Sequence, residues 1–400
     1  MDYTFDGKAK RLTFILMGIG LLSLILGYVM GGDHAGQRVW SSILISGFFF
    51  FGIGLIATFF LAIQYAAEAG WGIVLKRIME GVAAYTPIGA VTLVVVFLAS
   101  TFHLNHLYHW MDASLYDTAS DHYDEIIAHK QAYLNLPFWW IRTLAYLGVY
   151  VWFTNIFRKR SLAEDEIADN QKPFYLKNQT LAAIFLVFFG YTSVTASWDW
   201  LMSIDTHWFS TIFGWYIFSG MWISSMVMMV LLIVYLKGKG LMDFVNDSHI
   251  HDMGKWVFGV SFLWTYLFFC QFMLIWYSNI PEEVTYYQAR INDYTWVFWG
   301  TMLINFIFPM LLLMSKDAKR NAGFLSFVGA IIFFGHWLDV YMIITPGTMK
   351  EHGHLGIVEI GTFLGFLGLF LYTVLNALSK RPLLVKNHPM LEESLHHHIN

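Results

Sequence analysis

The chain has 400 residues, of which 57% are hydrophobic, 18% aromatic and only 13% charged; an ordinary soluble protein carries about 25% charged residues. That balance excludes a disordered chain, a coiled coil and a soluble two-domain enzyme, and a net charge of −4 gives no reason to look for nucleic acid. The composition is that of an integral membrane protein.

A membrane-crossing helix needs about 20 mostly apolar residues. Ten such stretches follow one another: 12–31, 42–66, 82–101, 136–157, 181–203, 211–236, 256–277, 296–314, 323–345 and 357–378. The expected fold is all-α, a single polytopic membrane domain over residues 1–400 with ten transmembrane helices. Helices 2–5 and 6–9 are expected as two four-helix bundles, with helices 1 and 10 peripheral. A β-barrel would show strands of about ten residues with alternating polarity, and these runs are apolar throughout. The first run is too long for a cleavable leader, lacks a small-residue cleavage site and reads as a retained span. Gly27-x3-Gly31 in helix 1 and Gly361-x3-Gly365 in helix 10 are close-packing motifs, within the chain or between subunits. Pro87 in helix 3 and Pro309 in helix 8 each remove a backbone donor, so the freed carbonyl needs another partner.

Orientation follows from Lys and Arg, which concentrate on the cytoplasmic side. All but five of the 24 fall in the N-terminus, the links 2–3, 4–5, 6–7 and 8–9, and the C-terminus; the exceptions are Arg38, Lys130, Arg142, Arg290 and Lys350. Both termini are therefore expected to be cytoplasmic. The opposite links are acidic and rich in His. The longest, 102–135, is expected to form a docking element for a polar partner; a plain solvated loop is the alternative.

An ionisable side chain inside a span costs about 2.5–3.5 kcal/mol at its centre, so it needs a partner, a cavity or a purpose. Helix 9 carries His336 and Asp339, three apart and so on one face. At 1.5 Å per residue they lie about 20 and about 24 Å along the span, in its outer half. Arg142 of helix 4, Asp199 of helix 5 and Glu359 of helix 10 lie at similar depth, with His103 and His106 just beyond helix 3. One reading is a polar chamber that opens outward and exchanges protons or holds a quinone head group, since a His beside a carboxylate can relay a proton. The other is an Arg142–Asp199 ion pair that ties two helices together. On the inner side Gln64, Glu68, Tyr85, Thr86, Ser224, Ser225 and Asn305 would form a hydrogen-bonded half-channel, or would simply bond to neighbouring backbone.

Metal and haem readings are weaker. His103, His106 and His109 share only roughly one helical side, and a b-type haem needs two His from different helices inside the bilayer, where His336 stands alone. The lone Cys270 excludes an intrachain disulfide, a haem attached through a CxxCH motif and an iron–sulfur cluster held by this chain alone; in its apolar run it reads as a packing residue. No catalytic residue and no metal site is expected.

Helix 7 is introduced by His249-Ile250-His251-Asp252-Met253-Gly254-Lys255-Trp256 and closed by QFMLIWYSNIPEE, from Gln271 through Trp276, Tyr277 and Pro281 to Glu282 and Glu283. With GHWLDVYMIITP (Gly335 to Pro346), these strings resemble the smaller NrfD-like membrane subunit of bacterial alternative complex III, and length, span number and orientation agree over nearly the whole chain. The resemblance implies a bacterial inner membrane and a subunit of a quinol:cytochrome c oxidoreductase in a respiratory electron-transfer chain, with no redox cofactor of its own. Haem c and iron–sulfur clusters would lie in partner subunits, and quinone or quinol nearby in the membrane. Partners would be a second NrfD-like subunit, an iron–sulfur subunit, multihaem and monohaem cytochromes c, a terminal oxidase and lipids. The alternatives are an NrfD-like quinone-binding anchor of a molybdenum- or polysulfide-type reductase, a secondary transporter, and a non-catalytic scaffold.

Overall fold

The structure is a computed structural model and describes residues 2–167 and 171–398. Its helices are α1 (Gly7–Met30), α2 (Ala35–Ala66), α3 (Lys76–Ala83), α4 (Thr86–Thr101), α5 (Glu125–His129), α6 (Leu136–Glu164), α7 (Gln171–Trp200), α8 (Phe213–Gly238), α9 (Asp247–Ser278), α10 (Pro281–Asp293), α11 (Thr295–Met302), α12 (Phe308–Leu312), α13 (Lys316–Arg320), α14 (Ala322–Met349), α15 (Ile357–Leu378) and α16 (Leu391–Leu395). A π-helical segment, Leu303–Ile307, joins α11 to α12. The described residues contain no strand.

Short polar side chains start the long helices by accepting from otherwise unpaired N–H groups. Asp6 accepts from Ala9, Asn135 from Phe138, Asn246 from Ser248 and His249, and Asn321 from Phe324. Pro87 does not kink a span: it lies in the first turn of α4, where its missing donor has no intrahelical partner to lose.

Nine segments among the described residues are long and apolar enough to cross a membrane, which makes this an all-α, multi-pass membrane protein. The 29-residue α6 falls outside that set. Trp139, Trp140, Arg142, Tyr146, Tyr150 and Trp152 lower its mean hydropathy without shortening it. It still traverses the helical body, because Arg142 meets α7 near the segment 102–135 and Ser161 meets α3 at the end where both termini lie.

The core forms around α2, α8 and α14. Some 89% of the apolar stretch of α2 is buried, against 22% for α1, so α2 is central and α1 peripheral. The run Phe49-Phe50-Phe51 packs on Phe333 of α14, Phe363 of α15 and Trp200 of α7, with ring centroids 5.1, 5.7 and 6.0 Å apart. The α15 glycine motif closes an intramolecular contact. A Cβ on Gly365 would stand 2.7 Å from Gly20 Cα, Gly361 lies against Ser23, and Gly27 lies against Val358. Small residues thus let α1 and α15 touch at backbone distance.

The C-terminal tail folds back over the end that carries both termini. Ser394 Oγ donates to Trp71 O at 2.8 Å, Asn246 donates to His397 O at 2.8 Å, and His397 lies 2.6 Å from Asp252. His388 is buried between the Tyr65 and Tyr175 rings, near Lys76 and 4.0 Å from Glu164. Burial, and after it the charge of Lys76, push its imidazole down to about 3. The docked tail therefore holds a neutral ring, whereas a released ring titrates at its ordinary value near 6.5. Docking is fully supported above that value and weakens as the pH falls below it. Amide exchange in residues 383–397 is expected to be slow at about pH 7.5 and markedly faster at about pH 5; equal protection at both, after correction for intrinsic rates, would contradict the buried neutral ring.

Candidate functional site

Opposite charges at similar depth pair off where solvent is absent, and each pair here closes on itself. Arg142 of α6 grips Asp199 of α7 in a two-pronged contact, Nε to Oδ2 at 2.8 Å and Nη2 to Oδ1 at 2.7 Å. Asp199 is fully buried, and the guanidinium lies 3.9 Å over Tyr133 and 4.2 Å over Phe138. Arg38 of α2 holds Glu359 of α15 the same way, at 2.6 and 2.8 Å, and Glu359 also accepts from the Gly356 N–H. His103 and His106 are exposed beyond α4; His103 has a left-handed φ of 55° and no helix orders the three His into a row. The expectation that Arg142, Asp199, His336, Asp339, Glu359, His103 and His106 share one outer chamber is therefore corrected. Arg142–Asp199 is a helix tie, Arg38–Glu359 is another, and the two His belong to a surface segment. An unpaired charge costs more than a paired one in this setting, so each ion takes the nearest partner.

His336 and Asp339 stand apart from these ties. Asp339 Oδ1 accepts from Tyr216 Oη of α8, and Oδ2 accepts from Trp264 Nε1 of α9 at 3.0 Å. Three helices thus converge on one buried carboxyl group. His336, a turn away, presents its ring to the Trp264 edge, with centroids 5.3 Å apart at 86°. It is fully buried, and neither ring nitrogen has a partner among the described residues. Asn305, at the centre of the π-helical segment, is equally buried, and both its amide atoms lack partners among the described residues. Its side chain lies over Gly335, where any Cβ would overlap Asn305 Oδ1. Buried polar atoms in proteins are almost always hydrogen-bonded, to protein or to water. π-helical turns recur at functional sites because they re-aim a side chain at the expense of ladder geometry. Here Pro309 follows the turn within α12, and Asn305 is aimed at the backbone beside His336.

Toward the 102–135 side the cluster continues into a cavity of about 20 Å³ lined by Asp339, Tyr216, Gln271, Tyr287 and Arg290. That holds about one water; small-molecule sites are typically about 300–1,000 Å³. Gln271 donates to Tyr287 Oη at 3.1 Å. Arg290 of α10 closes the cavity and solves a backbone problem. Pro346 inside α14 cannot donate to Met342 O. Arg290 Nε donates to that carbonyl at 3.0 Å, Nη2 donates to Ile343 O at 3.0 Å, and Nη2 also meets Asp205 at 2.9 Å. Its guanidinium stacks 3.3 Å from the Tyr286 ring, which in turn stacks on Trp208. Asp205 is partly exposed, so buried Asp339, the water-sized space, Arg290 and the surface form one polar sequence.

On the terminal side the expected half-channel residues separate. Ser224 donates to Gly220 O of its own helix and Ser225 donates across to Ile53 O of α2, so each is satisfied by a backbone carbonyl. Glu68 is exposed and accepts from Gln179 at 2.9 Å. Gln64 Oε1, Tyr85 Oη and Thr86 Oγ1 are buried without partners among the described residues. No hydrogen bond links them into a row. Of the QFMLIWYSNIPEE string only Gln271 reaches the cluster. Trp276 and Tyr277 are 64% and 83% exposed, Pro281 starts α10, Glu282 is exposed and Glu283 half-buried in its first turn.

Sequence reasoning missed Tyr216, Trp264 and Arg290. The two aromatics look like ordinary core residues in apolar runs. Arg290 carried a usable signal, since Pro346 leaves a carbonyl that some donor must reach, and Arg290 is one of few cations on that side. No protein-family profile and no curated protein matches this chain.

The Arg142–Asp199 tie gives a direct test. Arg142→Ala leaves Asp199 unpaired and is expected to destabilise the protein by about 3–5 kcal/mol. Replacing both residues, Arg142→Met with Asp199→Leu, is expected to restore most of that loss. Equal thermal midpoints for Arg142→Ala and the unaltered protein would show that the pair carries no structural load.

Proposed function

We propose that this chain is a membrane subunit of a quinol:cytochrome c oxidoreductase of the alternative complex III type, and that its task there is proton handling rather than electron transfer. The observation that carries the reading is the meeting of the two strings behind the resemblance. Gln271 from QFMLIWYSNIPEE and His336 with Asp339 from GHWLDVYMIITP belong to one polar cluster. A buried His and carboxyl pair beside a water-sized space can take up and pass on protons. The space is too small for a quinone head group, which favours proton transfer at this cluster. In this reading haem c and iron–sulfur clusters belong to partner cytochromes and an iron–sulfur subunit, and this chain binds no redox cofactor itself.

Ten crossings complete the fold. Nine segments qualify by apolarity, and both termini lie at one end of the molecule: Asp6 meets Lys239, and the C-terminal tail meets Asp252. An even number of crossings is needed, and α6 supplies the tenth. The contacts among α2, α4, α6 and α7, and among α8, α9, α11 with α12, and α14, support two four-helix bundles with α1 and α15 at the side. The distribution of Lys and Arg supports cytoplasmic termini, and the alternative complex III reading implies a bacterial inner membrane. The 102–135 segment then lies outside. Tyr108 anchors it to Trp200 O at 2.7 Å, and Asp124 meets His207 at 2.7 Å. That preformed surface suits a cytochrome or iron–sulfur partner.

Asp339→Asn and His336→Gln, made in the intact assembly, are expected to lower proton release per electron while the assembly still forms. An unchanged ratio in both variants would reject proton transfer through this cluster. Co-purification with a molybdopterin subunit instead of multihaem cytochrome would reassign the chain to the reductase-anchor alternative.

A further inference from the structure

A second polar space lies at the opposite end of the molecule and plays no part in the cluster around Asp339. It is a crevice of about 300 Å³ between α6 and α15, floored by α2 and α3. Its charges do not cancel. Glu80 is held by Arg77 at 2.6 Å, and Arg77 also reaches Asp165. Lys76 is held by Glu164. Arg158, which lines the crevice, donates only to the backbone carbonyls of Ala377 at 3.1 Å and Glu80 at 3.4 Å. Lys380 lines it too, and Arg381 lines the adjoining space beside Arg77 and Arg158; among the described residues neither has an ion-pair or hydrogen-bond partner. The side-chain amides of Asn155 and Asn376 also line the crevice and are free to donate.

The surroundings distinguish a lipid from a free anion. The crevice ends at Ala83 and Ala84, directly below the start of α4. From there Val91, Val95 and Leu98 form one exposed apolar stripe along α4, 64%, 50% and 40% accessible. α4 packs on α2 and α6, and its Thr92 and Phe366 of α15 both lie over Gly47 of α2. From Ala84 to Leu98 the helix rises about 21 Å, the length of an extended acyl chain of ordinary size. A cationic, donor-lined crevice at the foot of an apolar stripe matches a phosphate headgroup and its chain.

We propose that this crevice binds the phosphate of an anionic phospholipid, with Arg158, Lys380 and Arg381 as its cations and the α4 stripe as the bed of one acyl chain. Native mass spectrometry of the full chain in detergent, delipidated and then titrated with phosphatidylglycerol, phosphatidylcholine or inorganic phosphate, tests this. The expected result is a clear preference for phosphatidylglycerol over phosphatidylcholine that inorganic phosphate does not abolish. Lys380→Gln with Arg381→Gln, both exposed positions that leave the fold intact, is expected to reduce that preference by roughly 30-fold, at about tenfold for each 1.4 kcal/mol and about 1 kcal/mol per cation. Lys159→Gln with Lys172→Gln, at the same end but outside the crevice, is expected to keep it. Equal binding of the two lipids, equal loss in both double variants, or binding of inorganic phosphate with no retained lipid would each overturn the proposal.

Discussion

Hydrocarbon supplies no hydrogen bonds, so each polar group carried into the membrane must be answered from within the protein. The structure answers in three ways. Threonines and serines such as Thr92, Ser224 and Thr362 bond to the backbone one turn behind them. Charged groups pair across helices, Arg142 with Asp199 and Arg38 with Glu359. Arg290 supplies the donor that Pro346 withholds from Met342 O, which lets α14 carry a proline without leaving a bare carbonyl. Other buried polar atoms, those of Gln64, Tyr85 and Thr86 among them, also lack a partner among the described residues; His336 and Asn305 differ in that their unanswered groups lie together, on either side of the Gly335 backbone and within about a turn of Asp339.

That distinction separates framework from site. In the Arg142–Asp199 pair both carboxylate oxygens are engaged by the guanidinium, which also lies against two aromatic rings. The Asp339 cluster is saturated only at the carboxyl group, by one phenol and one indole, while the imidazole and amide beside it keep open hydrogen-bonding capacity. The π-helical segment at Asn305 and the bare Gly335 beneath it both serve this geometry, since a regular turn or a larger residue would push the amide away.

Much of the fold was legible in the sequence. Apolar runs of about 20 residues marked the nine segments among the described residues that are long and apolar enough to cross a membrane, and the glycine motif in 357–378 signalled close packing without revealing that its partner is α1. Depth along a helix was also readable, and it correctly set Arg142 level with Asp199. Azimuth was not readable: which face of α14 meets which face of α8 depends on packing among dozens of aromatic side chains. For that reason the expected single chamber resolves into two ion pairs and a separate cluster. Tyr216 and Trp264 escaped notice because one hydroxyl or one indole N–H in a core aromatic is invisible until its partner is known. The expected half-channel does not form for a related reason, as Ser224 and Ser225 are each taken up by a backbone carbonyl, one of their own helix and one of α2, and not by one another.

The central claim is that the membrane-buried surface around His336 and Asn305 is wet. A cryo-EM map of the chain in a lipid nanodisc, detailed enough to show ordered solvent, tests it most directly. The account requires water density within hydrogen-bonding distance of a His336 ring nitrogen and of the Asn305 amide, continuing to the space beside Asp339. Dry apolar contact around both side chains, with no solvent density between them and Asp339, would contradict it.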